Sequence, residues 1–198
     1  MVFDRSTKMS SSSLIEFLVL IGRLKHIQRT GWVQRRVKDP ESIAGHMYRM
    51  AVMSFLVDQK CGLSKERCIK LSLVHDMAEC IVGDITPADN VTKEEKHVRE
   101  KEAMDKLKSL IPPEVGQEIF QLWKEYEHQS SPEAIFVKDV DKFDMILQAY
   151  EYEQQDKGPG KLQDFYDSTQ GKFQTDQVKQ WAEELYRLRQ KTISVDDS

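Results

Sequence analysis

Residues 64–84 read SKERCIKLSLVHDMAECIVGD, and the fold of the whole chain turns on them. Ser64 with Arg67 and Cys68 opens a helix, Leu71, Val74, His75 and Ala78 form its inner face, and Gly83 ends it. Two strong metal-ligand types, His75 and Asp76, therefore lie side by side in a helix that faces a core. On an α-helix Glu79 is i+4 from His75 and i+3 from Asp76, so the three side chains converge on one patch. A buried ionised carboxylate costs on the order of several kcal/mol unless it is paired. No Lys or Arg lies at helix-neighbour spacing on that side, and a bound cation would resolve the cost.

Outward from this stretch, apolar residues recur at helical spacing and no alternating β-branched run is bounded by turn residues, so the chain reads as all-α with seven or eight helices. The first runs from about Ser12 to Lys25 on a stripe of Leu14, Phe17, Leu18, Ile21 and Leu24, with the serines as N-caps. The loop RTGWVQRRVKDP follows, and Pro40 after Asp39 suits the first turn of a helix with the stripe Ile43, Met47, Met50, Ser54 and Val57. Residues 92–108, TKEEKHVREKEAMDKLK, carry strong charge on most faces and offer Val98, Met104 and Leu107 as apolar points, which predicts a solvated helix over the core. Pro112 and Pro113 stop it. Glu114 to about His128 forms another helix, and SSPEA then starts a long one holding Ile135, Phe136, Val140, Ile146 and Leu147. GPG at 158–160 breaks the pattern before a short helix or turn around Phe165 and Tyr166, and a terminal helix carries Trp181, Leu185 and Leu188. The expected organisation is a disordered segment 1–11, one globular domain over 12–192, and a frayed tail 193–198.

The chain has 198 residues, 39% hydrophobic and 31% charged, with 29 basic against 33 acidic side chains and a net charge of −4. That suffices for a single core without disulfide or zinc staples. The mild acidity argues against wrapping duplex nucleic acid, which needs a basic face to displace counterions. The 3 cysteines form no C-x-x-C pair and no closed disulfide framework, which favours a reducing, intracellular setting. The opening residues lack the apolar core of a secretion signal, and FLVLI at 17–21 falls far short of the ~20 residues that span a bilayer.

Two further polar residues stand in apolar stripes: His46, between Ile43 and Met50, and Asp141, flanked on its face by Val137 and Met145. Together with His75 and Asp76 they make two imidazoles and two carboxylates, a mixed nitrogen and oxygen set suited to Mn, Fe, Co, Ni or Zn rather than a thiolate-selective site. A competing pattern, Glu94-x-x-His97 with Glu125-x-x-His128, has the spacing of di-iron bundles. It is the weaker reading, because Lys93 and Lys101 flank His97 and His128 sits at a helix end near Pro132. The Met-rich stretch HMYRMAVM reads as core.

The order H…HD…D, with the segments LKHIQRTGW, PESIAGHMYRM, LVHDMAECIVGDITPAD, KEEKH and LQDFYDST, resembles the HD-domain metal-dependent phosphohydrolases, and more narrowly their small 5'-deoxynucleotidases. The likeness spans roughly Leu14 to Phe173. It implies a single all-α HD-domain helical bundle with a metal site between core helices, held by His46, His75, Asp76 and Asp141. It also implies hydrolysis of deoxyribonucleoside 5'-monophosphates to deoxyribonucleoside and phosphate. Mn, Co or Mg would serve as the divalent cation, with Fe, Ni or Zn as further candidates. Glu79 would orient water or carry a proton to the leaving 5'-oxygen, and Asp84 would contact the sugar and favour deoxyribose. Alternatively Glu79, Asp84 and the carbonyl of Ile85 would share a second cation, as hard oxygen ligands that Mg favours. Trp32 matches the aromatic of the substrate loop, and Arg29 is the nearest candidate for the phosphate arginine, with Arg35 or Arg36 as substitutes. A homodimer is expected, with Trp123, Tyr126, Tyr150 and Tyr152 as aromatics for an interface. The other readings are a different HD phosphohydrolase, acting on a cyclic nucleotide or nucleoside triphosphate, and a non-catalytic nucleotide or metal sensor. Base preference, the metal used and the number of ions are open at this point.

Overall fold

A computed structural model of the chain describes residues 10–156, 158 and 160–196. Among them are ten α-helices and no strand, only a single antiparallel bridge between Gln28 and Ser42. The fold is all-α. The chain divides into two compact units, Met1–Gly45 with Val74–Lys124, and His46–Leu73 with Glu125–Ser198. No described helix is long and apolar enough to cross a membrane.

The first unit begins with α1 (Ser11–Gly22), where the Ser10 hydroxyl caps the helix by accepting from Ser13 N–H. Only Phe17 and Leu20 of α1 are buried. Leu14 and Leu18, expected on its inner stripe, are 43% and 53% exposed beside Ile15 and Val19 at 58% and 61%. The buried face is thus rotated from the one the periodicity suggested, and an apolar strip is left in solvent. A short helix α2 (Thr30–Gln34) occupies what reads as loop. The next helix, α3 (Ile43–Ser54), starts after Pro40 rather than at it. Ser42 accepts from Gly45 N–H at 3.1 Å, as an N-cap does.

The largest departure from expectation is at 74–83. The helix α4 (Lys65–Val74), capped by the Ser64 hydroxyl on Arg67 N–H, stops before the ligand candidates. Residues 75–78 form a turn with Met77 N–H on Val74 O, Glu79 N–H on Asp76 O and Cys80 N–H on Met77 O. Then comes α5 (Glu79–Val82). Bonds to i−3 wind the backbone tighter than an α-helix, so the i+3 and i+4 argument for His75, Asp76 and Glu79 does not hold as geometry. Gly83 at φ 78° lets the chain leave α5 in a conformation that an L side chain resists.

Thr92 caps α6 (Lys93–Ser109), which buries Glu100, Ala103, Met104 and Leu107. Val98, one of the three expected apolar points, is 53% exposed, and the inward positions before it go to half-buried Lys96 and His97. His97 stacks on Trp123 at 5.6 Å and 17°, so it is not the solvated side chain that its lysine neighbours suggested. The following helix, α7 (Pro113–His128), gives residues to both units.

In the second unit Ser131 caps α8 (Pro132–Gln155), with Pro132 in its first turn, as SSPEA predicts. Two helices complete the unit, α9 (Gln163–Thr169) and α10 (Asp176–Asp196). The last is helical through Asp196, into the segment expected to fray; residues 197 and 198, and residues 1–9 of the expected disordered segment, lie outside the described residues, as does Pro159 of GPG. Trp123, Tyr126 and Tyr152 are 1%, 3% and 5% exposed and Tyr150 is half-buried. The three buried rings fill the chain's own core and are not spare for an interface. Cys68 and Cys80 are buried free thiols, pushed up by that burial to about 12 and about 11, so they stay protonated.

Asp139 of α8 is fully buried and fixes the start of α10. Its Oδ2 accepts from Gln174 N–H and Thr175 N–H, both at 2.7 Å, and from the Thr175 hydroxyl at 2.9 Å. Lys142 Nζ donates to Oδ1 at 3.1 Å. Asp139→Ala leaves those donors without their acceptor, at a cost of about 3 kcal/mol. A fall in melting temperature of about 6–12 °C is expected by calorimetry, and an unchanged melt would contradict this account.

Candidate functional site

The site residues predicted from sequence fall in two groups, one in each unit. In the first unit Thr30 ties α2 to the segment after α5, its N–H donating to Asp84 Oδ2 at 2.7 Å and its hydroxyl to Asp84 O at 2.8 Å. Arg29, just before α2, lies with Nη1 3.7 Å from Asp76 Oδ2 and Nε 3.9 Å from Glu41 Oε1. Trp32 is 1% exposed and donates its indole N–H to the same Glu41 oxygen at 3.0 Å. It is an anchor for the Arg29 partner, not an open stacking platform. Arg35 and Arg36 are exposed.

His75 Nε2 and Asp76 Oδ2 are 3.1 Å apart. Glu79 follows at the head of α5, 4% exposed, with Oε2 buried and lacking a hydrogen-bond partner. Burial first, then the charges of Asp76 and Asp84, hold its carboxyl well above the usual carboxylate range, against the pull of Lys96 and Arg29. Lys96 Nζ donates to Ile85 O at 3.0 Å and lies 3.5 Å from Glu100 Oε1. Burial works against its charge, but Glu100, Glu79, Asp76 and Asp84 outweigh that and raise the ammonium above its ordinary range.

In the second unit His46 is fully buried on α3. Its Nδ1 meets Asp144 Oδ2 at 2.6 Å and its Nε2 lies 3.2 Å from Asp141 Oδ1. Asp141 Oδ2 accepts from Tyr126 OH at 2.6 Å and Lys138 Nζ at 3.0 Å. Asp144 takes a second bond from Arg49 Nε, and Arg49 is itself held by Glu151 and Gln148, each at 2.8 Å. With Nδ1 directed at the Asp144 carboxylate, His46 turns its Nε2 towards Asp141.

These donors fit a divalent ion. Two ligands about 2.1 Å from one cation and near a right angle sit about 3.0 Å apart, and the imidazole–carboxylate pairs His75–Asp76 and His46–Asp141 stand at 3.1 Å and 3.2 Å. The carboxylate behind His46 is the partner that ligating imidazoles ordinarily have. The second trio, Glu79, Asp84 and Ile85 O, fits less well, since Lys96 already bonds the Ile85 carbonyl.

The profile of the HD domain matches residues 21–181. The chain belongs to the HD-domain family. It is 56% identical over 182 residues to the 5'-deoxynucleotidase HDDC2 of Homo sapiens, covering 92% of this chain and 89% of that one. It is 53% identical over 189 residues to the protein of the same name from Xenopus laevis, covering 96% and 94%. Among solved structures, the PH0347 protein of Pyrococcus horikoshii superposes with a TM-score of 0.72 at 32% identity, covering 89% of this chain and 98% of that one.

Sequence reasoning missed Glu41, Arg49, Lys96 and Asp144. Asp144 is i+3 from Asp141 and Arg49 i+3 from His46, so a search along those two helices finds them. Lys96 and Glu41 reach the site from other segments, and no local spacing marks them.

Asp144 is fully buried. Burial raises its carboxyl, but the hydrogen bonds and charges of His46 and Arg49 outweigh that and hold it below the usual carboxylate range. A depressed folded value means stability that is present above the unfolded value of about 3.9 and is lost as pH falls through the folded one. Asp144→Asn is therefore expected to cost about 3 kcal/mol at pH 7. Urea unfolding should find the gap from wild type closing as the pH falls to about 3 and below; a gap that widens with acid would contradict the assignment.

Proposed function

We propose that this chain is a metal-dependent 5'-deoxynucleotidase, a phosphoric monoester hydrolase that converts deoxyribonucleoside 5'-monophosphates and water to deoxyribonucleosides and phosphate. The observation that carries it is Glu79, a buried carboxyl with a partnerless oxygen directly after the His75–Asp76 pair. Identity of 53–57% to proteins named 5'-deoxynucleotidase, over most of the chain, supports the same reaction. In this reading the two units act as one domain, and His46, His75, Asp76 and Asp141 together hold one divalent cation, Mn, Co or Mg, with Fe, Ni and Zn compatible with the donor set. When bound, such an ion polarises a phosphoryl oxygen and makes water a stronger acid.

Each residue of the first unit then has a task. Arg29, steered by Glu41 and through it by Trp32, meets the phosphate with its guanidinium. Glu79, whose carboxyl burial holds well above the usual carboxylate range, is the group placed to pass a proton to the departing 5'-oxygen. Asp84 commits Oδ2 to Thr30, leaving Oδ1 to accept from the sugar 3'-hydroxyl. A ribose 2'-hydroxyl there would crowd or go unpaired, which disfavours ribonucleotides. In the second unit Asp144 fixes the His46 ring.

We also propose a homodimer, through the exposed strips Leu14, Ile15, Leu18 and Val19 on α1 and Tyr48, Val52, Phe55 and Leu56 on and after α3, since apolar patches of this kind mark association surfaces. A monomer mass by light scattering would remove that reading. An intracellular setting agrees with the free cysteines.

The deciding experiment strips the purified protein with chelator, resupplies Mn, Co or Mg, and measures phosphate release from dAMP and AMP. Metal-restored release favouring dAMP is expected. Glu79→Gln should keep its metal content and lose about 10²–10⁴-fold in kcat, while Asp84→Asn should narrow the preference for dAMP. No release from a metal-loaded protein would overturn the proposal.

A further inference from the structure

The second unit carries a pocket of about 420 Å³ between α9 and α10, a volume within the range of small-molecule sites. Arg189 and Tyr166 line it and are buried, 6% and 3% exposed, with the guanidinium 3.7 Å over the phenol ring. Glu153 accepts from Arg189 Nε at 2.7 Å and from Nη2 at 3.0 Å, and Gln163 Oε1 accepts from Nη1 at 2.7 Å. Each terminal nitrogen of the guanidinium carries two N–H groups, so among the described residues one on each is left without an acceptor. The Tyr166 hydroxyl is buried without a partner. Glu153 lies three turns, or roughly 18 Å, beyond Asp141 along α8, so the pocket is distinct from the His46–Asp141 pair of the same unit.

Gln163 also donates from Nε2 to Asp167 Oδ1 at 2.8 Å. One carboxamide edge therefore bridges a donor on Arg189 and an acceptor on Asp167, so the spacing of those two groups is that of a C=O beside an N–H. We infer that the pocket binds a keto nucleobase, or a nucleoside carrying one, by its lactam edge. The ring C=O accepts from a remaining Arg189 N–H, the adjacent ring N–H donates to Asp167 Oδ2, and the flat ring packs against Tyr186 and Ile193, which line the same pocket. A lactam holds its two groups on one side, as the Gln163 amide does, whereas the trans peptide of a protein partner points them apart. Glu153 already neutralises Arg189, and Asp167 adds a further negative charge, so a neutral ring is favoured over a phosphate.

The inference stands independently of the proposed reaction, since neither Arg189 nor Asp167 has a task in it. The probe is hypoxanthine, titrated calorimetrically into the full chain, with 1-methylhypoxanthine, which lacks the lactam N–H, as control. Wild type is expected to bind hypoxanthine with Kd below about 1 mM and the control about tenfold more weakly. Asp167 is exposed, and Asp167→Ala is expected to melt within about 2 °C of wild type and to bind hypoxanthine about tenfold more weakly. Equal affinity for the two probes, or full affinity in Asp167→Ala, would overturn the inference by placing the probe elsewhere on the chain. So would the absence of saturable binding to wild type.

Discussion

Burying an ionised carboxylate is tolerable only where a positive charge or a set of donors meets it, and that constraint orders this protein more than any other. Glu100 is met by Lys96, Glu125 by Arg67, Asp139 by Lys142, Asp144 by Arg49 and Glu153 by Arg189. Each pair links separate segments or fixes the turn of helix that carries it. Glu79 is as buried as the others, and among the described residues it has no such ion pair. Its neighbours shift its proton affinity without an ion pair, which is the environment of a carboxyl able to act as an acid.

The same constraint separates what was legible in the sequence from what was not. His46 and Asp141 betray themselves because each interrupts an apolar stripe on a regular helix, where spacing translates directly into side-chain direction. The start of α8 was legible for a similar reason, since the Ser131 hydroxyl and the Pro132 ring act on their own backbone. The turn at 75–78 was not, because a change from i−4 to i−3 bonding leaves the order of apolar residues untouched. On α1, Leu14 and Leu18 fit a helical period as well as Phe17 and Leu20 do, and only packing decides which pair is covered. In KEEKHVREKE the charges suggested a wet face, whereas Lys96 and Glu100 turn inward together and neutralise one another.

Indirect support is a recurring device in both units. Trp32 acts on Arg29 through Glu41, Arg49 on His46 through Asp144, and Tyr126 and Lys138 on Asp141 by filling its second oxygen. In every case one carboxylate oxygen takes the supporting bond, and its chemical partner is left with a restricted set of orientations. A loss of precision at these outer residues would reach Arg29, His46 and Asp141 without removing any of them.

The clamp of Asp139 on residues 174 and 175 has a consequence for synthesis. The chain emerges from the ribosome N-terminus first, so α8 is complete well before the backbone amides that Asp139 accepts from exist outside the tunnel. The first unit, closed by residue 124, has all its segments by then; the second does not until α10 follows. During translation Asp139 therefore stays hydrated or bonded to Lys142 alone, and the second unit locks only when the last stretch of chain is delivered. A nascent chain paused before residue 174 would carry one finished unit and one open one, with the buried face of α8 still accessible to a chaperone.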